Sequence, residues 1–220
     1  GVITIPSGMY EFSAQLNISK PLTLTGIGSV TFKAANPSWS GINGYKHLLG
    51  IYAGTEVEPI IVSNITVDCS NQCYGVNTYS NAYGVLNDVT ITNGRGIGLT
   101  VNGSTIVATN LNTSGNAWDI AVNVDPGTGV TTPSIFTLNS GTLAEGYQIW
   151  SDGNKVSGTA TVTVTAPAGY TEYSYAGSNA RRWSTSAPAG AVSIASAPTV
   201  LYTTIQAAVT AATSGDTINI

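Results

Sequence analysis

The residues best placed to perform chemistry in this sequence are Asp68, Asp88 and Arg95. Asp68 ends the segment IIVSNITVD, and Asp88 lies within YGVLNDVTITN, a similar segment further along the chain. Because the segments resemble each other, we expect the two carboxylates at near-equivalent positions of successive structural units, with Arg95 facing them. Paired carboxylates can cleave glycosidic bonds, and an arginine beside acids can act as the base of a lyase.

The same aspartates also have a structural explanation. Aspartate at the corner beside a strand commonly accepts a hydrogen bond from its own backbone. The single histidine, His47, lies in GYKHLLG with no acidic neighbour in sequence. We therefore predict no enzymatic activity and no cofactor, and keep the three residues as the candidates that would carry catalysis if there were any.

Two cysteines, Cys69 and Cys73, stand close together in DCSNQC. They could close a small disulfide in an oxidising compartment or remain free thiols, but two thiols and one distant histidine do not make a zinc site. We expect no metal centre. Sequons would permit N-glycosylation in a suitable host, although such triplets also arise by chance in a chain rich in Asn, Ser and Thr. They begin at Asn17, Asn64, Asn102 and Asn112.

Aromatic side chains offer a second kind of site, because Tyr and Trp faces can stack on sugar rings. The alternative is that Tyr fills sheet surfaces and Trp fills contacts between elements. The residues concerned are Tyr74, Tyr79, Tyr83, Trp118, Trp150 and Trp183.

Composition excludes several classes of function. Charged residues make up 8% of the chain, the net charge is −4, and the basic residues are scattered except for Arg181 and Arg182, so nucleic-acid binding is not expected. No apolar run approaches the roughly 20 residues that span a bilayer, so we expect no membrane insertion. A surface wetted mainly by hydroxyls and amides is unusual for a cytosolic enzyme and favours a secreted or cell-surface protein.

Short alternating segments with Asn and Gly between them predict many short strands and almost no helix. The segments also repeat: SNITVDCSN matches NDVTITNGRG with Ile65 opposite Val89, and TNLNTSGN matches it again with Leu111 opposite Ile91. A sandwich would also have many strands, but a repeat of about 20 to 25 residues favours a parallel β-solenoid, in which each coil buries its inward side chains against its neighbours.

Residues 5–28, IPSGMYEFSAQLNISKPLTLTGIG, resemble the start of right-handed parallel β-helix domains of the pectin-lyase-like superfamily. In that family a phrase similar to residues 204–218, TIQAAVTAATSGDTI, precedes this start as a short helix that caps the open end of the solenoid. Here the phrase comes last in the sequence. The resemblance covers roughly residues 1–125 and 199–220, and it implies one period of a tandem array or a circular permutation. The family includes polysaccharide lyases and hydrolases, but its hydrolase motifs Asn-Thr-Asp, Asp-Asp and Gly-His-Gly are missing from this sequence.

Three regions follow from this reading. Residues 1–125 should form the parallel β-helix, and residues 126–198 an accessory antiparallel β segment with an extended connector over residues 186–200. Residues 199–220 should form the capping helix and a first strand that belong to the next β-helix copy. The helix should cover residues 204–212, with Thr203 or Thr204 as N-cap and an apolar face of Ile205, Ala208, Val209 and Ala212.

The sequence therefore predicts an all-β structural protein outside the cell, one unit of a head-to-tail filament, surface array or adhesin, whose partners are copies of itself. We expect Ile205, Ala208, Val209, Ile218 and Ile220 of one copy to meet Val2, Ile3 and Ile5 of the next. The alternative is a β-helix that binds or cleaves polysaccharide through Asp68, Asp88, Arg95 and the tyrosines.

Overall fold

The computed structural model describes residues 1–35, 47–144, 147–152 and 161–220. It is built of short strands arranged in coils, each coil being one turn of the chain around a common axis. The first coil holds β1 (Val2–Ile5), β2 (Gly8–Phe12) and β3 (Leu16–Ile18), and the second holds β4 (Thr23–Gly26), β5 (Val30–Ala34) and β6 (His47–Ile51). The third holds β7 (Ile60–Asp68) and β8 (Tyr74–Tyr79), and the fourth β9 (Tyr83–Thr92) and β10 (Ile97–Asn102).

The later coils begin with β11 (Thr105–Thr109), β12 (Leu111–Ser114) and β13 (Trp118–Asn123). After a 3-10 turn (Pro126–Thr128) come β14 (Ser134–Leu138), β15 (Gly141–Leu143) and β16 (Ile149–Ser151), and then β17 (Val162–Thr165). The final region contains β18 (Thr171–Tyr175), β19 (Arg181–Ser184), β20 (Val192–Ile194), β21 (Ala197–Tyr202), α1 (Ile205–Ala211) and β22 (Ile218–Asn219).

Strands of successive coils pair in parallel and form three faces of a solenoid of about seven coils. Face 1 contains β1, β4, β11, β14, β17 and the first halves of β7 and β9. Face 2 contains β2, β5, β12, β15 and the second halves of β7 and β9. Face 3 contains β3, β6, β8, β10, β13 and β16. The predicted parallel β-solenoid is confirmed.

The core is built from ladders of inward side chains, one from each coil. Because side chains alternate along a strand, every second residue points inward and stacks on the same position of the next coil. Leu24, Val62, Leu86, Ala108 and Leu138 form such a ladder on face 1. Leu49, Val76, Leu99, Ile120 and Ile149 form another on face 3.

The corner between faces 1 and 2 explains why so many Asn residues occur in the chain. Asn64, Asp88 and Asn110 occupy this corner in consecutive coils with φ of 55°, 53° and 53°. A positive φ is tolerated by Asn and Asp far better than by most other residues with a Cβ. The repeat in the sequence is therefore a repeat of corners as much as of strands.

The strand register confirms one predicted alignment and corrects the other. Ile65 lies opposite Val89, as the sequence predicts. Thr113, and not Leu111, lies opposite Ile91. The prediction was two residues out because a two-residue shift leaves the same side chains facing inward, and only the shared corner of Asp88 and Asn110 distinguishes the two registers.

The parallel stack does not stop at residue 125. β14 pairs with β11, β16 with β13, and β17 with β14, all in parallel, so residues assigned to an accessory segment continue the solenoid. The antiparallel part begins at the hairpin of β18 and β19, with β19 running antiparallel to β16. The stretch expected to be an extended connector contains the antiparallel pair β20 and β21. The longer connection between β13 and β14, which contains the 3-10 turn, interrupts the period of the repeat there.

The predicted helix is present as α1. Thr204 is its N-cap, and the hydroxyl of Thr204 accepts a hydrogen bond from the backbone N–H of Ala207 at 3.1 Å. No helix in the described part of the chain has the length and apolarity needed to cross a bilayer.

Candidate functional site

The three candidate catalytic residues lie at two different corners. Asp68 is paired with Thr92 at the end of face 2, whereas Asp88 occupies the corner between faces 1 and 2 that Asn64 occupies one coil earlier. The expectation that the two aspartates hold near-equivalent positions is wrong. The two segments do align, but Asp68 and Asp88 stand at different places within them.

Both aspartates are engaged in hydrogen bonds that shape the corners. Asp68 accepts from the backbone N–H of Ser70 at 2.9 Å and from the side-chain amide of Asn93 at 3.0 Å. Asp88 accepts from the side-chain amide of Asn110 at 2.7 Å. The bonds to Asn93 and Asn110 link each corner to the next coil, so both carboxylates stabilise the stacking of the coils.

Arg95 is exposed, and its backbone N–H donates to the carbonyl of Cys73 at 2.8 Å. Within the described ranges no carboxylate lies within ion-pair distance of its guanidinium, and no group of three metal-ligating side chains is found. His47 is buried, with Nε2 3.0 Å from the Thr100 hydroxyl and its ring edge-on to Tyr74. The structure therefore does not bring the three predicted residues together as one catalytic cluster.

The first coil has inward-pointing apolar side chains that remain exposed. Ile3 belongs to the face 1 ladder and points inward, yet it is 48% exposed, whereas Leu24 and Val62 in the next two coils are 5% and 0% exposed. Tyr10 and Leu16 hold the corresponding inward positions on faces 2 and 3 and are only half-buried. Among the described residues none packs over this end, so they leave the core of the solenoid uncovered there.

The sequence predicted Val2, Ile3 and Ile5 at this end but missed the rest of the surface. Val2 points outward and is exposed, and Ile5 is half-buried. Tyr10, Phe12 and Leu16 complete the apolar end, and the alignment of coil 1 on coil 2 was the signal that could have found them.

The tail of the chain lies at the opposite end of the sheet that includes face 3, where β22 is the edge strand. Ala208 of α1 is fully buried against Val192 and Ile194 of β20, and Ile218 of β22 packs beside them. These two predicted interface residues are therefore used within the chain, because α1 and β22 fold onto β20. The remaining predicted residues of the tail, Ile205, Val209 and Ile220, are exposed.

The predicted aromatic residues do not form one surface. Tyr83 is on face 1, and Trp183 is buried in the core as the last member of the face 3 ladder. Tyr74 and Tyr79 lie on face 3, where Tyr79 donates to the carbonyl of Thr128 at 2.5 Å. Trp118 and Trp150 are joined through Tyr147, which the sequence analysis did not select.

Cys69 and Cys73 are free thiols, both buried, and the Cys73 thiol lies 3.9 Å from the carbonyl oxygen of Cys69. The hydrogen bond with Cys73, and then burial, raise the pKa of the Cys69 thiol well above its usual range. Thiolate is the reactive form, so the Cys69 thiol should be inert in the folded protein, and burial shields the Cys73 thiol from reagents.

The four sequons differ in exposure. Asn17 and Asn64 are exposed and Asn112 is half-buried. Asn102 is buried: its amide donates to Thr128 Oγ1 at 3.1 Å, and its oxygen accepts from the backbone N–H of Asp125 at 2.9 Å. A glycan on Asn102 would disrupt both hydrogen bonds.

No family model matches this chain, and no curated protein matches it. Among solved structures, ORF18 of Geobacillus virus E2 aligns with 63% of this chain at 15% identity and a TM-score of 0.48. The alignment covers 28% of the viral chain, so this chain spans little more than a quarter of it. A similarity this distant carries no argument about function.

Proposed function

We propose that this chain is a structural module of an extracellular filament, surface array or adhesin, in which the tail of one copy covers the first coil of the next. The observation that carries the proposal is the open core at coil 1. Ile3, Tyr10 and Leu16 point along the core ladders but have no described residue above them. Uncovered apolar area of this kind favours association at about 25 cal/mol per Å² buried.

The tail also exposes apolar side chains, which would pack against the uncovered first coil of another copy. Ala208 of α1 is buried within the chain, whereas Ile205 and Val209, neighbours of Ala208 on the helix surface, stay exposed, as does Ile220 just beyond β22. β22 and β3 are the two edge strands of one sheet, so the tail and the first coil lie at opposite ends of the molecule. A contact between different surfaces at opposite ends is heterologous, and it propagates into a filament unless it closes into a ring.

The test uses two variants, each blocked at one end. Ile3→Asp places a charge on the first coil, and Val209→Asp places one on the exposed side of α1. Neither should oligomerise alone, because each retains only one half of the contact. An equimolar mixture should form a dimer, since the intact tail of the first variant can bind the intact first coil of the second.

Sedimentation velocity measures this outcome directly. Val57→Asp, in the exposed loop before β7, is the matched control and should assemble like the unmodified chain. Variants that still assemble alone, or a mixture that stays monomeric while the unmodified chain assembles, would refute the head-to-tail contact.

A tandem fusion of two copies tests the same contact within one chain, where the effective concentration is on the order of millimolar. Amide hydrogen exchange in β1 should be slower in the second copy of the fusion than in the first. Equal exchange in both copies, together with a monomeric single copy, would leave the proposal without support.

A further inference from the structure

A group of aromatic residues and one arginine, which we call the aromatic belt, lies on the outer side of face 3 and its antiparallel extension. The belt consists of Trp118, Tyr147, Trp150, Tyr175 and Arg182. The strand register shows that two of these side chains point outward. Ile149 pairs with Trp183 and both point into the core, so the next pair, Trp150 and Arg182, points outward. The belt crosses from the parallel coils to the hairpin of β18 and β19.

The belt is continuous along the axis of the solenoid. The ring centroids of Trp118 and Tyr147 are 6.2 Å apart, those of Tyr147 and Trp150 are 5.5 Å apart, and those of Trp150 and Tyr175 are also 5.5 Å apart. Interplanar angles between 62° and 88° make each contact edge-to-face, the arrangement that aromatic pairs favour. Trp118 and Tyr147 are 38% and 41% exposed, so ring surface is open to solvent at one end.

Arg182 is the unusual member of the belt. Its guanidinium carbon lies 4.9 Å from the centroid of the Tyr147 ring, and the residue is only 6% exposed. Its Nε is buried without a hydrogen-bond partner. The neighbouring Arg181 forms an ion pair with Glu172, with its Nη1 3.1 Å from the carboxylate oxygen. Across the described ranges, no carboxylate pairs with Arg182.

A buried cation without an anion is costly, and a buried N–H donor without an acceptor adds to that cost. Stacking on Tyr147 offsets part of it, since a cation over an aromatic face is attracted to the ring. Arg182 also makes a side-chain hydrogen bond with the Tyr175 hydroxyl, but among the described residues no acceptor with negative charge lies beside the guanidinium.

We propose that the aromatic belt binds a linear anionic glycan, with sugar rings stacked on Trp118 and Tyr147 and a carboxylate or sulfate of the sugar beside Arg182. A linear ligand fits because the belt is narrow and runs along the axis, with coils spaced by about 4.8 Å. A protein partner would need roughly 800 Å² of surface on each side, whereas the belt is a single line of side chains. This site does not involve the open coil or the tail, so it stands independently of the proposed assembly.

The experiment measures binding by calorimetry and tryptophan fluorescence with three probes. These are a uronate hexasaccharide, the same hexasaccharide with its carboxyl groups reduced to alcohols, and a sulfated hexasaccharide of equal length. The first and second differ only at the carboxyl groups, so their comparison isolates the contribution of the ligand's carboxylates, and Arg182→Met then tests whether Arg182 recognises them. The third distinguishes sulfate from carboxylate as the anion.

We expect the uronate or the sulfated probe to bind at least tenfold more tightly than the reduced probe. Arg182→Met should abolish that preference, and Trp118→Ala should weaken all binding about tenfold, the loss of one stacking contact. Arg181→Met is the matched control, because Arg181 is exposed and already paired, and it should bind like the unmodified chain. Equal affinity for charged and reduced probes, or unchanged binding by Trp118→Ala, would overturn the proposal.

Circular dichroism and thermal melting show whether Arg182→Met still folds. Should it not fold, Trp118→Ala still decides the question, because Trp118 is a partly exposed side chain at the first residue of β13. No binding of any probe at about 1 mM would also overturn the proposal.

Discussion

Asp88 offers the clearest choice between a catalytic and a structural role, and substitutions there should separate the two. The residue has φ of 53° and accepts a hydrogen bond from Asn110 at 2.7 Å. Asn can keep both the backbone conformation and the acceptor, Gly keeps only the conformation, and Ala keeps neither. The free energy of unfolding should therefore fall in the order Asp88→Asn, Asp88→Gly, Asp88→Ala.

The magnitudes follow from the two contributions. A side chain other than Asn, Asp or Gly at a left-handed position costs about 1 kcal/mol or more, and the loss of this exposed hydrogen bond to a carboxylate costs about 1 kcal/mol. Asp88→Ala should then lose about 2 kcal/mol and Asp88→Gly about 1 kcal/mol, while Asp88→Asn should stay within about 0.5 kcal/mol of the unmodified chain. For a domain of this size, about 2 kcal/mol corresponds to a melting temperature lower by roughly 4 to 8 °C.

Urea unfolding followed by tryptophan fluorescence measures these differences. Asn87→Ala, one residue earlier in β9 and at a negative φ, is the matched control and should change stability by less than about 0.5 kcal/mol. The reasoning fails if Asp88→Ala is as stable as Asp88→Asn. A glycan-cleaving activity that Asp88→Asn removes without loss of stability would instead establish the catalytic role.

Three further outcomes are expected. Thr113→Val should stabilise the fold by about 1 kcal/mol in urea unfolding, because the Thr113 hydroxyl is buried without a partner between Ile91 and Leu143; a loss of stability would mean that this register is wrong. Cys69 and Cys73 should resist a thiol-specific reagent at neutral pH and both react after unfolding, and fast reaction in the folded state would contradict their burial. The pKa of Asp216 is lowered by the backbone N–H of Thr213 and by the hydroxyls of Ser196 and Thr213, so its stabilising effect is present above the ordinary aspartate pKa and is lost as the pH falls through the lower value. The amide signal of Thr213 should titrate below the usual aspartate midpoint in NMR spectra, and an ordinary midpoint would show that these bonds do not form.

The regular part of the fold could be predicted because it obeys a local rule. Alternation and recurring corner residues identified the strands and the solenoid, and the alignment of Ile65 with Val89 was confirmed. The helix was predicted correctly to within a residue because Thr204 combines an N-cap side chain with a following apolar face. These features depend on neighbours in sequence or on a fixed repeat.

The candidate site could not be predicted in the same way. Asp68 and Asp88 were expected to be close because their segments align, but a corner four residues away is a different place on the coil. Tyr147 and Arg182 meet only because β19 reverses direction and pairs with β16. The sequence predicted an antiparallel β segment in this region, and β18 and β19 form one, but nothing in the sequence indicated that β19 pairs with β16, so this contact needed the tertiary structure.

The two ends of the molecule differ in how the last strands of the sheets and the core beneath them are covered. Beyond β16 the sheet that includes face 3 continues through β19, β18, β21, β20 and β22, and α1 packs against β20 through Ala208. At the first coil the inward ladders simply end at Ile3, Tyr10 and Leu16. Exposed apolar ladders with unpaired strand edges are a general aggregation hazard, which proteins manage by covering the edge. Because Ala208 is buried within the chain while Ile205 and Val209 beside it stay exposed, α1 keeps apolar side chains with which to cover such an end. This is why we favour an ordered contact between tail and first coil over nonspecific association.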